Sequence, residues 1–145
     1  MSIYLASQVN NNNPLSVQST NWPTYLVSGG VVKLNGQAAS PFNGMYFTES
    51  GAQLQLTGEL HDADGQLADI SIPVTLKMPF VRHANGQPTD DEVYLDVTLQ
   101  NGVITSSGVI PRSGDWKVLT ERNNAALAAV GASFRLQADN ITFLA

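Results

Sequence analysis

Few side chains in this sequence could do chemistry, and the lysines come first. There are three, Lys33, Lys77 and Lys117. Lys117 has Asp115 and Glu121 close by in sequence, and Asp139-Asn140 follows downstream. A lysine, an Asp or Asn and a further carboxylate held together in an apolar core can react with one another. Burial lowers the pKa of the amine and raises that of the acid. The neutral amine is then a nucleophile, and the neutral acid or amide carbonyl an electrophile. The product is an isopeptide bond, or cleavage of the backbone beside the aspartate. The plainer alternative makes Lys117 a solvated helix residue and Asp139 part of a turn.

The other candidates carry weaker signals. His61 opens "HDADG", which has the start of a calcium loop but lacks the third acidic position and the distal glutamate, so a structural turn is expected and no metal site. His83 in "VRHANG" leads into an Asn-Gly turn and reads as an exposed loop histidine. Asp90, Asp91 and Glu92 precede a strand, where charges discourage edge-to-edge pairing. There is no GxSxG, P-loop or GxGxxG, so neither a conventional catalytic motif nor a cofactor motif is present. The chain has no cysteine, which removes disulfides, thiolate metal sites and cysteine nucleophiles.

Composition narrows the partners. Charged residues are 13% of the chain, about half the usual ~25%, and Asn, Gln, Ser, Thr and Gly take their place. Desolvating an amide costs less than desolvating a charge, so such a surface suits packing against copies of itself. A net charge of −5 with scattered basic residues argues against nucleic acid. No apolar run reaches the ~18 residues of a membrane helix, so no membrane insertion is expected. "MSIYLASQVNNNNPLS" lacks the basic and apolar regions of a secretory signal, which implies synthesis in a cytoplasm.

The elements that must position these residues are mostly strands. Residues 1–28, with the run Asn10 to Asn13 and "NWPT", read as an extended arm, and 29–145 as one domain. Trp22 and Tyr25 should pack on the domain or on a neighbouring copy. Asn-Gly at 35–36, 43–44, 85–86 and 101–102, with Asp64-Gly65, supplies the positive φ angles of hairpin turns. Between the turns, alternation predicts inward faces at Leu54/Leu56/Leu60, Ile70/Ile72/Val74/Leu76/Met78 and Val93/Leu95/Val97/Leu99. Pro73 predicts an edge or a bulge. Trp116, Leu119, Asn123, Leu127 and Val130 recur at helical spacing, predicting one helix of about 12–15 residues capped by Ser113 or Asp115 and ended by Gly131. Two short strands should follow, around Ser133–Leu136 and Ile141–Leu144, with Asp139-Asn140 as their turn. The expected fold is a mainly-β antiparallel sandwich with one short amphipathic helix near the C-terminus.

The passage "SGDWKVLTERNNAALAAVGASFRLQADNITFLA" resembles segments of bacteriophage and prophage structural proteins. The wider profile, a short cysteine-free chain of hairpins with a late Lys–Asp pair, is similar to a small family of bacterial and phage β-sandwich proteins that cleave and link themselves while assembling. That resemblance implies Lys117 as the linking lysine, Asp139 as the aspartate at the cut and Asn140 as the first residue released. Asp115 and Glu121 are then the nearest candidates for the carboxylate that activates water. Three functions are expected in order. The first is a virion component of the tail or tail tip, a homo-oligomer whose partners are its own copies and other virion proteins. The second is a self-cleaving endopeptidase. The third is a carbohydrate- or receptor-binding module using Trp22, Trp116 or exposed tyrosines.

Overall fold

The computed structural model describes residues 22–145. The chain runs β1 (Thr24–Leu34), β2 (Gln37–Ala39), β3 (Met45–Phe47), β4 (Gln53–His61), β5 (Ile72–Ala84), β6 (Gln87–Gln100), β7 (Val103–Val109), β8 (Asp115–Val118), α1 (Thr120–Ala129), β9 (Arg135–Gln137) and β10 (Ile141–Leu144). The described residues are mainly β with one short helix. The strands join in one ten-stranded sheet ordered β2-β1-β4-β7-β6-β5-β8-β10-β3, with β9 beside β1. All pairings are antiparallel except β1–β9 and β10–β3, which are parallel. Leu54 and Val32 from one end of the sheet and Trp116 and Phe143 from the other belong to the same core. The sheet therefore curls until its two ends face each other.

The Asn-Gly turns explain most of this topology. Asn35, Asn43, Asn85 and Asn101 all have φ between 50° and 53°, each followed by a glycine with φ of 76–81°. Three of these turns join β1 to β2, β5 to β6 and β6 to β7, and the fourth closes the Phe42–Met45 bridge. The Asp64-Gly65 turn is built differently, by the Asp62 carboxylate accepting from the amides of Asp64 (2.9 Å) and Gln66 (3.0 Å). Among the described residues no group of acidic or histidine side chains is arranged to hold a metal ion.

The alternating faces are inward along β4 and β6, where Leu54, Leu60, Leu95, Val97 and Leu99 are buried. In β5 they are interrupted. Ile72 pairs Leu99 but Leu76 pairs Val97, so four residues of β5 span the length of two on β6. Pro73, which has no amide to donate, lies in that bulge, and Val74 is turned out, 52% exposed, rather than inward as its period predicts. A second irregularity sets Val81 against Glu92 and His83 against Pro88, this time with the extra residues in β6. His83 consequently sits on a paired strand and is buried (7% exposed), not in an exposed loop.

The N-terminal boundary also shifts. Residues 24–28, expected in the arm, are the first half of β1, and Tyr25 packs edge-on against Phe134 of the same chain with centroids 5.7 Å apart. Residues 1–21 of the expected arm, including the run Asn10 to Asn13, lie outside the described residues. The helix is shorter than its periodicity suggests and begins later. Trp116 and Lys117 are strand residues of β8, and no side chain of its own N-cap residue, Leu119, caps α1. The C-terminal end is as expected. Gly131 (φ +83°) donates to Ala128 O at 3.0 Å and Ala132 to Leu127 O at 3.1 Å, the paired bonds of a left-handed helix stop.

Candidate functional site

The residues that sequence reasoning groups together are divided by strand β8. Trp116 and Val118 point to the core, so Asp115 and Lys117 share the other face. There Lys117 Nζ lies 3.2 Å from Asp115 Oδ1 and donates to Thr142 Oγ1 at 2.9 Å across the β8–β10 ladder. Asp139 is on the far side, at the rim of an internal cavity that Val118 helps to line. No hydrogen bond or ion pair joins Lys117 to Asp139 among the described residues. Glu121 is exposed on the first turn of α1.

Asp139-Asn140 does not turn one strand back on its neighbour. β9 pairs β1 and β10 pairs β8 and β3, so residues 138–140 carry the chain from one end of the sheet to the other. Asn140 Oδ1 accepts from the Thr120 amide at 2.8 Å, and Thr120 Oγ1 donates to Ala138 O at 2.9 Å. An orphan donor at the start of α1 is thus satisfied from twenty residues downstream. Asn124 does a related job. Its side chain donates to Leu136 O at 3.0 Å and accepts from Leu136 N at 2.8 Å, occupying the edge of β9 that β1 leaves free. Asn124, a residue type that looks unfavourable inside a helix, is placed there by these tertiary bonds.

The cavity lies where the ends of the curled sheet approach each other below α1, and measures about 200 Å³. Its wall is apolar, built from β1, β4 and β7 on one side and β3, β8 and β10 on the other. Thr57, Ser106, Thr120, Asn123 and Asp139 are its polar lining residues. Asn123 Oδ1 is buried and accepts no hydrogen bond. Sequence periodicity placed Asn123 on the helix face with Leu127 but gave no sign of a space beside it.

At the outer end of the sheet, Phe42 lies shortly before β3 and Phe47 ends it. They are 67% and 54% exposed, with ring centroids 6.2 Å apart. β3 ends the strand order; on its outer edge Met45 is bridged to Phe42, and no further strand pairs there among the described residues. Alternation could not find this patch, because β3 is only three residues long.

In the acidic run at 90–92, Asp91 and Glu92 form a structural ion cluster, while Asp90 is exposed. Asp91 sits in the β6 irregularity, where Arg112 grips both its carboxylate oxygens and Arg82 Nε donates to Oδ2 at 2.9 Å. The Arg112 hydrogen bonds, then those of Arg82, hold the Asp91 carboxyl well below the usual carboxylate range. Glu92 takes Arg122 at 3.3 Å and the Tyr94 hydroxyl at 2.6 Å. A depressed folded pKa contributes stability that is complete above the unfolded value of ~3.9 and is lost as pH falls through the folded value. Stability should therefore decline in acid from about pH 4 downward, and Asp91→Asn should flatten that decline while lowering stability at neutral pH. Urea unfolding of both proteins between neutral and strongly acid pH reads this directly. Parallel acid limbs would mean that other carboxylates carry it.

Trp116 cannot serve as a platform for a sugar ring. It is fully buried, its Nε1 donates to Arg112 O at 3.0 Å, and the Arg112 guanidinium lies 5.6 Å from its ring centroid. Comparison with protein-family models, with curated proteins and with solved structures finds no match.

Proposed function

We propose that this chain is a structural subunit of a phage or prophage particle, in the tail or its tip, and works by binding copies of itself. The aromatic pair at the open end of the sheet carries this reading. Residues 40–48, "SPFNGMYFT", contain no charged side chain. The lysines and inward charges by which monomeric proteins protect a free edge are missing there. Beyond the Phe42–Met45 bridge this end of the sheet has no partner strand among the described residues and can take another chain, and Phe42 and Phe47 add apolar area to bury. The low charge of the whole chain reduces the cost of covering the surrounding surface. In this reading the subunit reaches the virion and meets other virion proteins there. Self-cleavage gains less support, because Lys117 pairs with Asp115 on one face of β8 while Asp139 lies on the other.

Light scattering on concentrated protein should show a homo-oligomer or filament. Phe42→Ser with Phe47→Ser should shift it to monomer with little change in the thermal midpoint, since both side chains are exposed. A strictly monomeric unmodified chain would remove the proposal. Intact mass of the same aged sample separates assembly from self-processing, which would release "NITFLA" or create a branched chain.

A further inference from the structure

We propose that the cavity below α1 is a binding site for a small neutral aromatic molecule carrying one N–H or O–H donor, with Asn123 Oδ1 as the acceptor. Four observations lead to this ligand class. The volume of about 200 Å³ exceeds the ~150 Å³ that suffices for a benzene ring in an apolar protein cavity. The wall is made largely of aliphatic side chains, among them Val31, Leu56, Ile104 and Ile141. Tyr46 also lines it and begins an aromatic run, stacked on Phe143 at 5.4 Å, with Phe143 against Phe80 at 5.8 Å and Phe80 against Trp116 at 5.3 Å. A ligand ring beside Tyr46 would extend that run. Lastly, Asn123 Oδ1 is buried without a partner, and a buried acceptor left unpaired is costly.

Access and charge fit the same class. Val31, which lines the cavity, is itself 43% exposed, and Asp139 at the rim is exposed, so the site opens to solvent. The Asp139 carboxylate disfavours anions. A neutral ring enters without a desolvated charge. This inference is independent of the assembly reading, because the cavity is lined within one chain.

The test uses the full chain with two probes of nearly equal shape, indole and benzothiophene, of which only indole has an N–H. Binding is followed by NMR of the Asn123 side-chain amide and the Val31 and Ile104 methyl groups. Indole should saturate one site, move these signals and bind about tenfold tighter than benzothiophene, a ratio within the range of one neutral hydrogen bond. Asn123→Leu should abolish or reverse that preference while benzothiophene still binds. Val31→Trp, at a partly exposed position, should block both probes. No saturable binding of indole overturns the proposal. So does indole binding that maps to Phe42 and Phe47, or a preference that survives Asn123→Leu. If Asn123→Leu fails to fold, the unmodified chain still decides, because equal affinity for the two probes rules out the Asn123 contact.

Discussion

Gly102→Ala should destabilise the protein by roughly 3–5 kcal/mol, whereas Gly86→Ala should cost only about 1–2 kcal/mol. Both glycines follow an asparagine in the same kind of turn, with φ of +81° and +76°. An alanine at either pays for a left-handed backbone. Only at 102 does it also meet an obstacle. A Cβ there would lie 2.3 Å from Ala68 O and 3.0 Å from Leu67 Cδ1, while nothing lies within 4 Å at Gly86. Relief by backbone movement is closed off, because Gly102 N donates to Ile70 O at 2.8 Å and Gly102 O accepts from Leu60 N at 2.8 Å. Shifting Gly102 would release the 62–70 loop from the sheet. Chemical denaturation of the two variants measures the difference. Equal losses would show that the loop yields freely and that the turn conformation accounts for the whole cost.

Trp116→Ala should cost roughly 3–5 kcal/mol, a large part of the stability of an ordinary domain. The indole is fully buried, packs on Phe80 at 5.3 Å between centroids and donates to Arg112 O. That bond fixes the segment from which Arg112 reaches Asp91, so core packing and the surface ion cluster share one anchor. Trp116→Phe keeps a ring against Phe80 but removes the donor and part of the volume, and should lose roughly half as much as Trp116→Ala. The Asp91-dependent acid limb should weaken in Trp116→Ala and persist in Trp116→Phe if packing positions Arg112. It should weaken in both if the indole hydrogen bond does. Unchanged stability in Trp116→Ala would contradict the buried placement of this side chain.

The strand content, the turns and most of the core were legible in the sequence, because each rests on local chemistry. Asn-Gly strongly favours positive φ through its own local chemistry, and period-two alternation follows from the pleat of a strand. Leu95, Val97 and Leu99 could be placed inward on that basis alone. So could Gly131, whose left-handed φ ends the helix through bonds to its own last turn. What depends on distant partners was hidden. Trp116 carries helical spacing with Leu119 and Asn123, yet β5 and β10 pair with its segment and make it a strand. Val74 keeps the period of its neighbours and still faces solvent, because the register against β6 slips beside Pro73. Asn140 could be read as a turn former, but only the fold brings α1 to it and makes it a cap. The chemistry of their side chains and the family resemblance suggest Lys117 and Asp139 as a pair, and β8 sets them on opposite sides. Side-chain type and spacing determine how a segment bends and which face is apolar. Which segments meet is decided by long-range pairing, and the cavity, the aromatic edge and the arginine-clasped Asp91 all arise there.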